Sequence, residues 1–159
     1  MKKLSFFLTI MLIIFFSGII YGKGSYVADE GLRDEAKQGF EKVLDLWRDG
    51  KYAELYDRTY GSGESREHFA ERLASAPRRP ACCWEKMQEV KVNPEREDKV
   101  NLWARIGLEG GGISETATRS FKLKKEYGVW KVSRKDILTL SGASKKRKRY
   151  IRRTFQNLQ

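Results

Sequence analysis

The fold is decided by the stretch Val100-Asn101-Leu102-Trp103-Ala104-Arg105-Ile106-Gly107-Leu108, in which every second residue is aliphatic. Side chains of a β-strand point alternately to its two faces, so this pattern predicts a strand with one face against a core. The run Gly110-Gly111-Gly112 follows, and is predicted to end the strand in a flexible hairpin. It lacks the Lys-Ser/Thr pair that follows a phosphate-binding loop.

Three further strands are predicted around this one. The first is expected from residue 82 to about residue 92, with Cys82 and Trp84 pointing inward. Another follows the hairpin, and the last begins after a tight turn at Tyr127-Gly128. The period of two persists through all of them, so four antiparallel strands are expected. On the third strand the shared face carries Ala117, Arg119, Phe121 and Leu123.

The segment before the strands has a helical period. The apolar stripe of a first helix, ended by Gly50, consists of Leu32, Ala36, Phe40, Val43, Leu44 and Trp47. A second helix is predicted from Tyr52 to Thr59. A third is capped by Ser65 and ends before Pro77. Helices followed by antiparallel strands predict an α+β fold, with the N-terminal helices packed on a four-stranded sheet.

This layout resembles the nuclear transport factor 2-like superfamily, also called cystatin-like cone folds. The resemblance covers about residues 30–138 and rests on residues 40–47, 50–56, 65–69 and 128–132. It implies a curved antiparallel sheet wrapped around a long N-terminal helix. The chain looks like the small exported branch, and is similar to the non-catalytic N-terminal domain of certain penicillin-binding transpeptidases.

Some members of this superfamily are enzymes of the isomerase or polyketide cyclase kind, which need an acid or base inside the cone. No Asp, Glu or His of this sequence matches such a position, so no catalytic residue is predicted. A binding or interaction module is therefore favoured over a small enzyme that acts on an acidic ligand in the cone pocket. No cofactor is expected.

Residues 1–22 are predicted to form an export signal, because Lys2 and Lys3 precede a long uncharged apolar run. The run approaches the ~20 residues that a spanning helix needs, so cleavage and retention as a membrane anchor both remain open. Residues 23–29 are interpreted as a linker. The rest of the chain is expected outside the cytoplasm, in the periplasm or at the cell surface.

Most of the formal net charge of +11 lies at the ends of the chain. Residues 23–143 carry 23 bases against 21 acids, which argues against a nucleic-acid binder with a basic folded surface. Residues 139–159 are predicted to form a basic tail with Ile151, Phe155 and Leu158 at helical spacing. This pattern favours an anionic membrane surface over nucleic acid, with a solvated disordered tail as the alternative. The tail bases are Lys145, Lys146, Arg147, Lys148, Arg149, Arg152 and Arg153.

Arg119 is the least expected residue on an inward strand face. It could hold a carboxylate or phosphate in an apolar cone pocket, or form a salt bridge to a helix acid such as Asp45 or Asp57. Six aromatic residues could stack on a flat or sugar-like ligand, although core packing explains them more simply. They are Trp47, Tyr52, Tyr56, Tyr60, Trp84 and Trp130. The predicted ligand pocket consists of Trp47, Tyr52, Tyr56, Arg119 and Trp130.

The outer sheet face is predicted to expose Cys83, Met87 and Trp103, which would suit a homodimer or partner interface. Cys82 and Cys83 are expected to remain unbonded to each other, since adjacent Cα atoms are closer than disulfides usually require. With one His in the chain, no metal site is predicted. His68 is interpreted as an exposed helical residue beside Glu67.

Overall fold

The computed structural model describes residues 30–143. The predicted export signal, the linker and the basic residues of the tail lie outside the described residues. The helices are α1 (Glu30–Arg48), α2 (Tyr52–Asp57), α3 (Arg66–Ala74) and α4 (Arg134–Leu140). The strands are β1 (Thr59–Tyr60), β2 (Arg79–Pro80), β3 (Gln88–Arg96), β4 (Lys99–Gly110), β5 (Ile113–Glu126) and β6 (Val129–Ser133).

The strands form one curved, unclosed sheet in the order β1-β6-β5-β4-β2, with β3 also paired to β4. The four longer strands pair antiparallel, as expected, whereas β1 pairs with β6 in parallel. The α+β class predicted from the sequence is confirmed. The strand count is larger because β1 and β2, of two residues each, are too short to leave a periodic pattern.

The core lies between α1 and the sheet. The prediction that every second residue of β4 faces the core is confirmed. The residues that are at most 1% exposed include Val100, Leu102, Ala104, Ile106 and Leu108. From α1 the buried residues are Ala36, Phe40, Val43, Leu44, Leu46 and Trp47. The two layers meet at a ring pair, Phe40 and Phe121, whose centroids are 4.6 Å apart. A long helix against a curved sheet is the arrangement that the resemblance implied.

Helix α4 was not predicted from the sequence. It buries Ile137, Leu138 and Leu140, and Ser141 beyond it is fully buried. The packed part of the chain thus continues past residue 138, the predicted end of the domain. A helix of seven residues spans only two turns, so its apolar positions give a weak periodic signal.

The predicted strand from residue 82 is wrong in its first part. Cys83–Lys86 form a 3-10 turn and β3 begins at Gln88. The turn packs over Gly107 of β4, where an added Cβ would lie 2.3 Å from the carbonyl oxygen of Glu85. Because Gly107 has no side chain, backbone fills the place where a strand residue would pack. Trp84 is consequently 74% exposed instead of inward.

The expectation that Cys82 and Cys83 stay unbonded is also wrong, since the two form a disulfide. Their Cα atoms are 3.7 Å apart, as the trans peptide requires. In a strand the two sulfurs would point to opposite faces. Here Cys83 has φ of 60°, and this turn geometry brings both sulfurs to the same side.

Candidate functional site

The residues of the predicted ligand pocket do not surround an open cavity. Trp47 and Trp130 are 1% and 3% exposed and belong to the core. Tyr56 packs edge-on against Phe69 with ring centroids 5.7 Å apart, and Tyr52 is half-buried against the core. These aromatic side chains fill the interior of the cone.

Arg119 lies at the edge of this interior. Its Nη2 atom is 3.8 Å from Oδ1 of Asp136 in α4, and its side chain is 36% exposed. The salt bridge considered for Arg119 thus exists, but its partner is Asp136 instead of Asp45 or Asp57. Burial raises the pKa of Asp136 above its usual value, although Arg119 and Lys135 act in the opposite direction.

The three residues predicted to share the outer sheet face are not equivalent. Met87 is 9% exposed and packs in the core, because the turn before β3 changes the direction of its side chain. Trp103 is half-buried, with Nζ of Lys91 located 5.2 Å from its ring centroid. Cys83 takes part in the disulfide. The predicted outward placement of Met87 is therefore wrong, whereas an interface at Cys83 and Trp103 stays a prediction.

A groove opens between the loop after β1 and the junction of β6 with α4. We call it the loop–helix groove, and its volume is about 370 Å³. Of its residues, the sequence suggests only His68 and Tyr60 as chemical candidates. The lining residues are Tyr60, Gly61, Ser62, Gly63, Glu64, His68, Arg72, Ser133, Arg134, Lys135 and Leu138.

Glu64 holds one side of this groove together. Its side chain is 9% exposed, and its Oε1 lies 2.6 Å from Nη1 of Arg72 and 2.8 Å from Nδ1 of His68. The Ser65 hydroxyl caps α3 by accepting a hydrogen bond from the His68 N–H, as predicted. The helix then places His68 and Arg72 one turn apart on the face toward Glu64. The carboxylate near His68 is thus Glu64, whereas the sequence suggested Glu67.

The charge of Glu64 is fixed by these neighbours. Burial alone would raise the pKa of Glu64, but hydrogen bonds and charge from Arg72 and His68 outweigh it and lower the pKa below its usual value. Arg72 also donates through Nη2 to the carbonyl oxygen of Ala143. Arg72 therefore links α3 to the residues after α4.

Arg134 forms the opposite side of the groove and is 7% exposed. Its Nε donates to Oγ1 of Thr59 at 3.2 Å, and its Nη1 donates to the carbonyl oxygen of Glu64 at 3.3 Å. The guanidinium carbon lies 4.0 Å from the ring centroid of Tyr56, in a cation–π contact. Together with Arg72 and Lys135, Arg134 gives the groove three permanent cations against the single carboxylate of Glu64.

Within residues 30–143 no cluster of three or more His, Cys, Asp or Glu side chains could hold a metal ion. None of the helices in this range combines the length and the apolar character that crossing a bilayer requires. The buried polar or charged residues of the same range are Thr59, Arg134 and Ser141.

Replacing Glu64 by glutamine is expected to make the protein less stable at pH 7 and to flatten its loss of stability in acid. A carboxyl whose folded-state pKa is lowered stabilises the fold above its unfolded pKa, and this contribution disappears as the pH falls through the folded pKa. Urea unfolding between pH 7 and pH 3 measures the effect. Glu71→Gln, an exposed position of α3, is the matched control. If the difference in unfolding free energy between the wild-type protein and Glu64→Gln stayed constant with pH, it would contradict this assignment.

No family model matches the chain, and no curated protein matches it. Among solved structures the chain is similar to one titled as a variant of Rd1NTF2_05, with 18% identity and a TM-score of 0.43. That match covers 63% of this chain and 93% of the other.

Proposed function

We propose that this chain is an exported, non-catalytic binding or interaction module that a basic C-terminal tail holds at an anionic membrane surface. The observation that carries the non-catalytic part is the filled interior between α1 and the sheet. Phe40, Trp47, Phe121 and Trp130 are each at most 3% exposed there. Because the domain's own side chains fill its interior, a ligand or partner would bind at its surface.

The filled interior also weighs against the alternative, an isomerase-like or cyclase-like enzyme. Such an enzyme needs a titratable group inside the cone, next to the substrate. Among residues 30–143 no Asp, Glu or His belongs to the core between α1 and the sheet. The two carboxylates that burial affects lie elsewhere: Glu64 lines the loop–helix groove, and Asp136 is paired with Arg119 at the edge. The resemblance to the non-catalytic domain of penicillin-binding transpeptidases favours the same binding role.

The membrane part of the proposal rests on the sequence. Seven bases and no acids occur in residues 144–159, and the three apolar residues among them fit one face of a helix. Each base near an anionic bilayer contributes up to about 1 kcal/mol. The N-terminal run supports export, because a basic flank before an apolar run directs the rest of the chain outward across the membrane.

Deleting residues 144–159 is expected to weaken binding to anionic vesicles about three-hundredfold, if each of the seven bases contributes about half of the full 1 kcal/mol. Sedimentation with vesicles of phosphatidylglycerol and phosphatidylcholine measures this. Both forms begin at residue 23, so that the N-terminal run cannot insert. The core of the described fold lies within residues 36–140 and is present in both.

Two controls separate the contributions within the tail. Vesicles of phosphatidylcholine alone should bind both forms equally weakly, because they lack the anionic charge. Replacing Ile151, Phe155 and Leu158 by serine keeps all seven bases and should cause a smaller loss than the deletion. Unchanged binding to anionic vesicles after the deletion would refute the membrane role of the tail.

A further inference from the structure

We propose that the loop–helix groove binds an oxyanion, the phosphate or carboxylate group of a small ligand, with Arg134 as its anchor. This inference rests on the proposed binding role and specifies the chemistry of the ligand. It does not depend on the basic tail, since every residue it uses lies within residues 30–143. The occupant is defined by its negatively charged oxygens.

The positive charge of Arg134 has no negative partner in the described part of the chain. Arg134 as a residue is only 7% exposed, and a buried charge is normally paired with an opposite one. The partners of Arg134 are all neutral: the Thr59 hydroxyl, the Glu64 carbonyl and the rings of Tyr56 and Phe69. No carboxylate of residues 30–143 forms an ion pair with it. An anionic ligand would supply the missing charge.

One hydrogen-bond donor of Arg134 is still available to a ligand. Nε and Nη1 of Arg134 are occupied, but its Nη2 makes no hydrogen bond to another residue of the described part of the chain. Arg134 lines the groove, so this nitrogen is placed to serve an occupant. The fixed fork of a guanidinium matches the oxygen spacing of carboxylate and phosphate groups.

The carboxylates near Arg134 are already paired with other residues. Glu64 is already shared by Arg72 and His68, and Asp136 pairs with Arg119 outside the groove. Lys135 has no ion-pair partner among residues 30–143, so its charge adds to that of Arg134. The backbone N–H groups of Ser62 and Gly63 likewise donate to no other described residue. The groove therefore offers cations and neutral donors that no protein acceptor occupies.

The size of the groove limits the ligand. A volume of about 370 Å³ falls within the range of small-molecule sites. One carboxylate or phosphate group with a few attached carbon atoms fits this volume. Phosphate and carboxylate share the chemistry that the donors recognise, so two probes are needed to distinguish them.

The test is a titration of the full chain with sodium phosphate and, separately, with sodium succinate at constant ionic strength set by chloride. Backbone amide NMR signals of Gly61, Ser62 and Gly63 report occupancy. Arg134→Lys keeps the charge but loses the fork, and about tenfold weaker binding is expected. Lys135→Gln removes an exposed charge, and about threefold weaker binding is expected. Arg105→Gln, which changes an arginine paired with Glu89 outside the groove, is the matched control.

Saturable shifts with either probe, weakened by both groove variants and retained in Arg105→Gln, would support the site. The better probe then identifies phosphate or carboxylate as the ligand group. If Arg134→Lys does not fold, Lys135→Gln still decides the question. Shifts that never saturate, or that weaken equally in Arg105→Gln, would show non-specific attraction and overturn the proposal. The vesicle experiment changes residues 144–159, whereas the groove experiment changes Arg134 and Lys135. A negative result for the groove therefore does not refute the membrane role, and a negative result for the tail does not refute the groove site.

Discussion

Replacing Phe121 by alanine is expected to lower the free energy of unfolding by about 3–5 kcal/mol, as for other large buried aromatic residues. Phe121 is fully buried at the centre of β5, and its ring lies 4.6 Å from that of Phe40 in α1. Removing the ring takes away apolar contacts and leaves a cavity between the helix and the sheet. Urea unfolding of the full chain at neutral pH measures the change.

Ser120→Ala is the matched control, because Ser120 is exposed next to Phe121 on the same strand. A change within about 0.5 kcal/mol is expected there. The result bears on function as well as on stability. If Phe121→Ala lowered the free energy of unfolding by less than about 1 kcal/mol, the interior would be loosely packed, as in a ligand pocket. The argument against an isomerase-like or cyclase-like enzyme would then be weaker.

The parts of the fold that could be predicted from the sequence are those with a long, regular pattern. In α1 and β4 the buried apolar side chains follow the helical or strand period over several turns or pairs, so local spacing was sufficient. The turn at Cys83–Lys86 could not be predicted in this way. Its cause is the contact between the Glu85 backbone and Gly107, which are distant in sequence.

The candidate site depended still more on tertiary contacts. His68 is the single histidine of the sequence, but its partner Glu64 precedes the helix cap and lies outside the helical period. Arg134 follows β6 with no pattern to distinguish it from the surface bases around it. Its burial arises because Thr59, Tyr56 and the Glu64 carbonyl, from three other segments, close around its guanidinium.

Gly39→Ala should destabilise the protein by about 1–3 kcal/mol, the usual cost of overpacking a well-filled core. In the interior of an exposed helix the same change would stabilise by about 1 kcal/mol, because alanine has the higher helix propensity. Here an added Cβ would lie 2.6 Å from Cβ of Trp130, in the adjacent β6. Either α1 or the indole must move, so the expected sign is reversed.

Gln38→Ala, one residue earlier on the exposed side of α1, is the control for helix propensity and should change stability by less than about 0.5 kcal/mol. Urea unfolding of both variants gives the comparison, and the near-ultraviolet circular dichroism of the protein, to which Trp130 contributes, should change only in Gly39→Ala. If Gly39→Ala were instead stabilising, α1 would not pack this closely on β6. The interior would then have room that the aromatic side chains do not fill, and the cone would again have to be considered as the binding site.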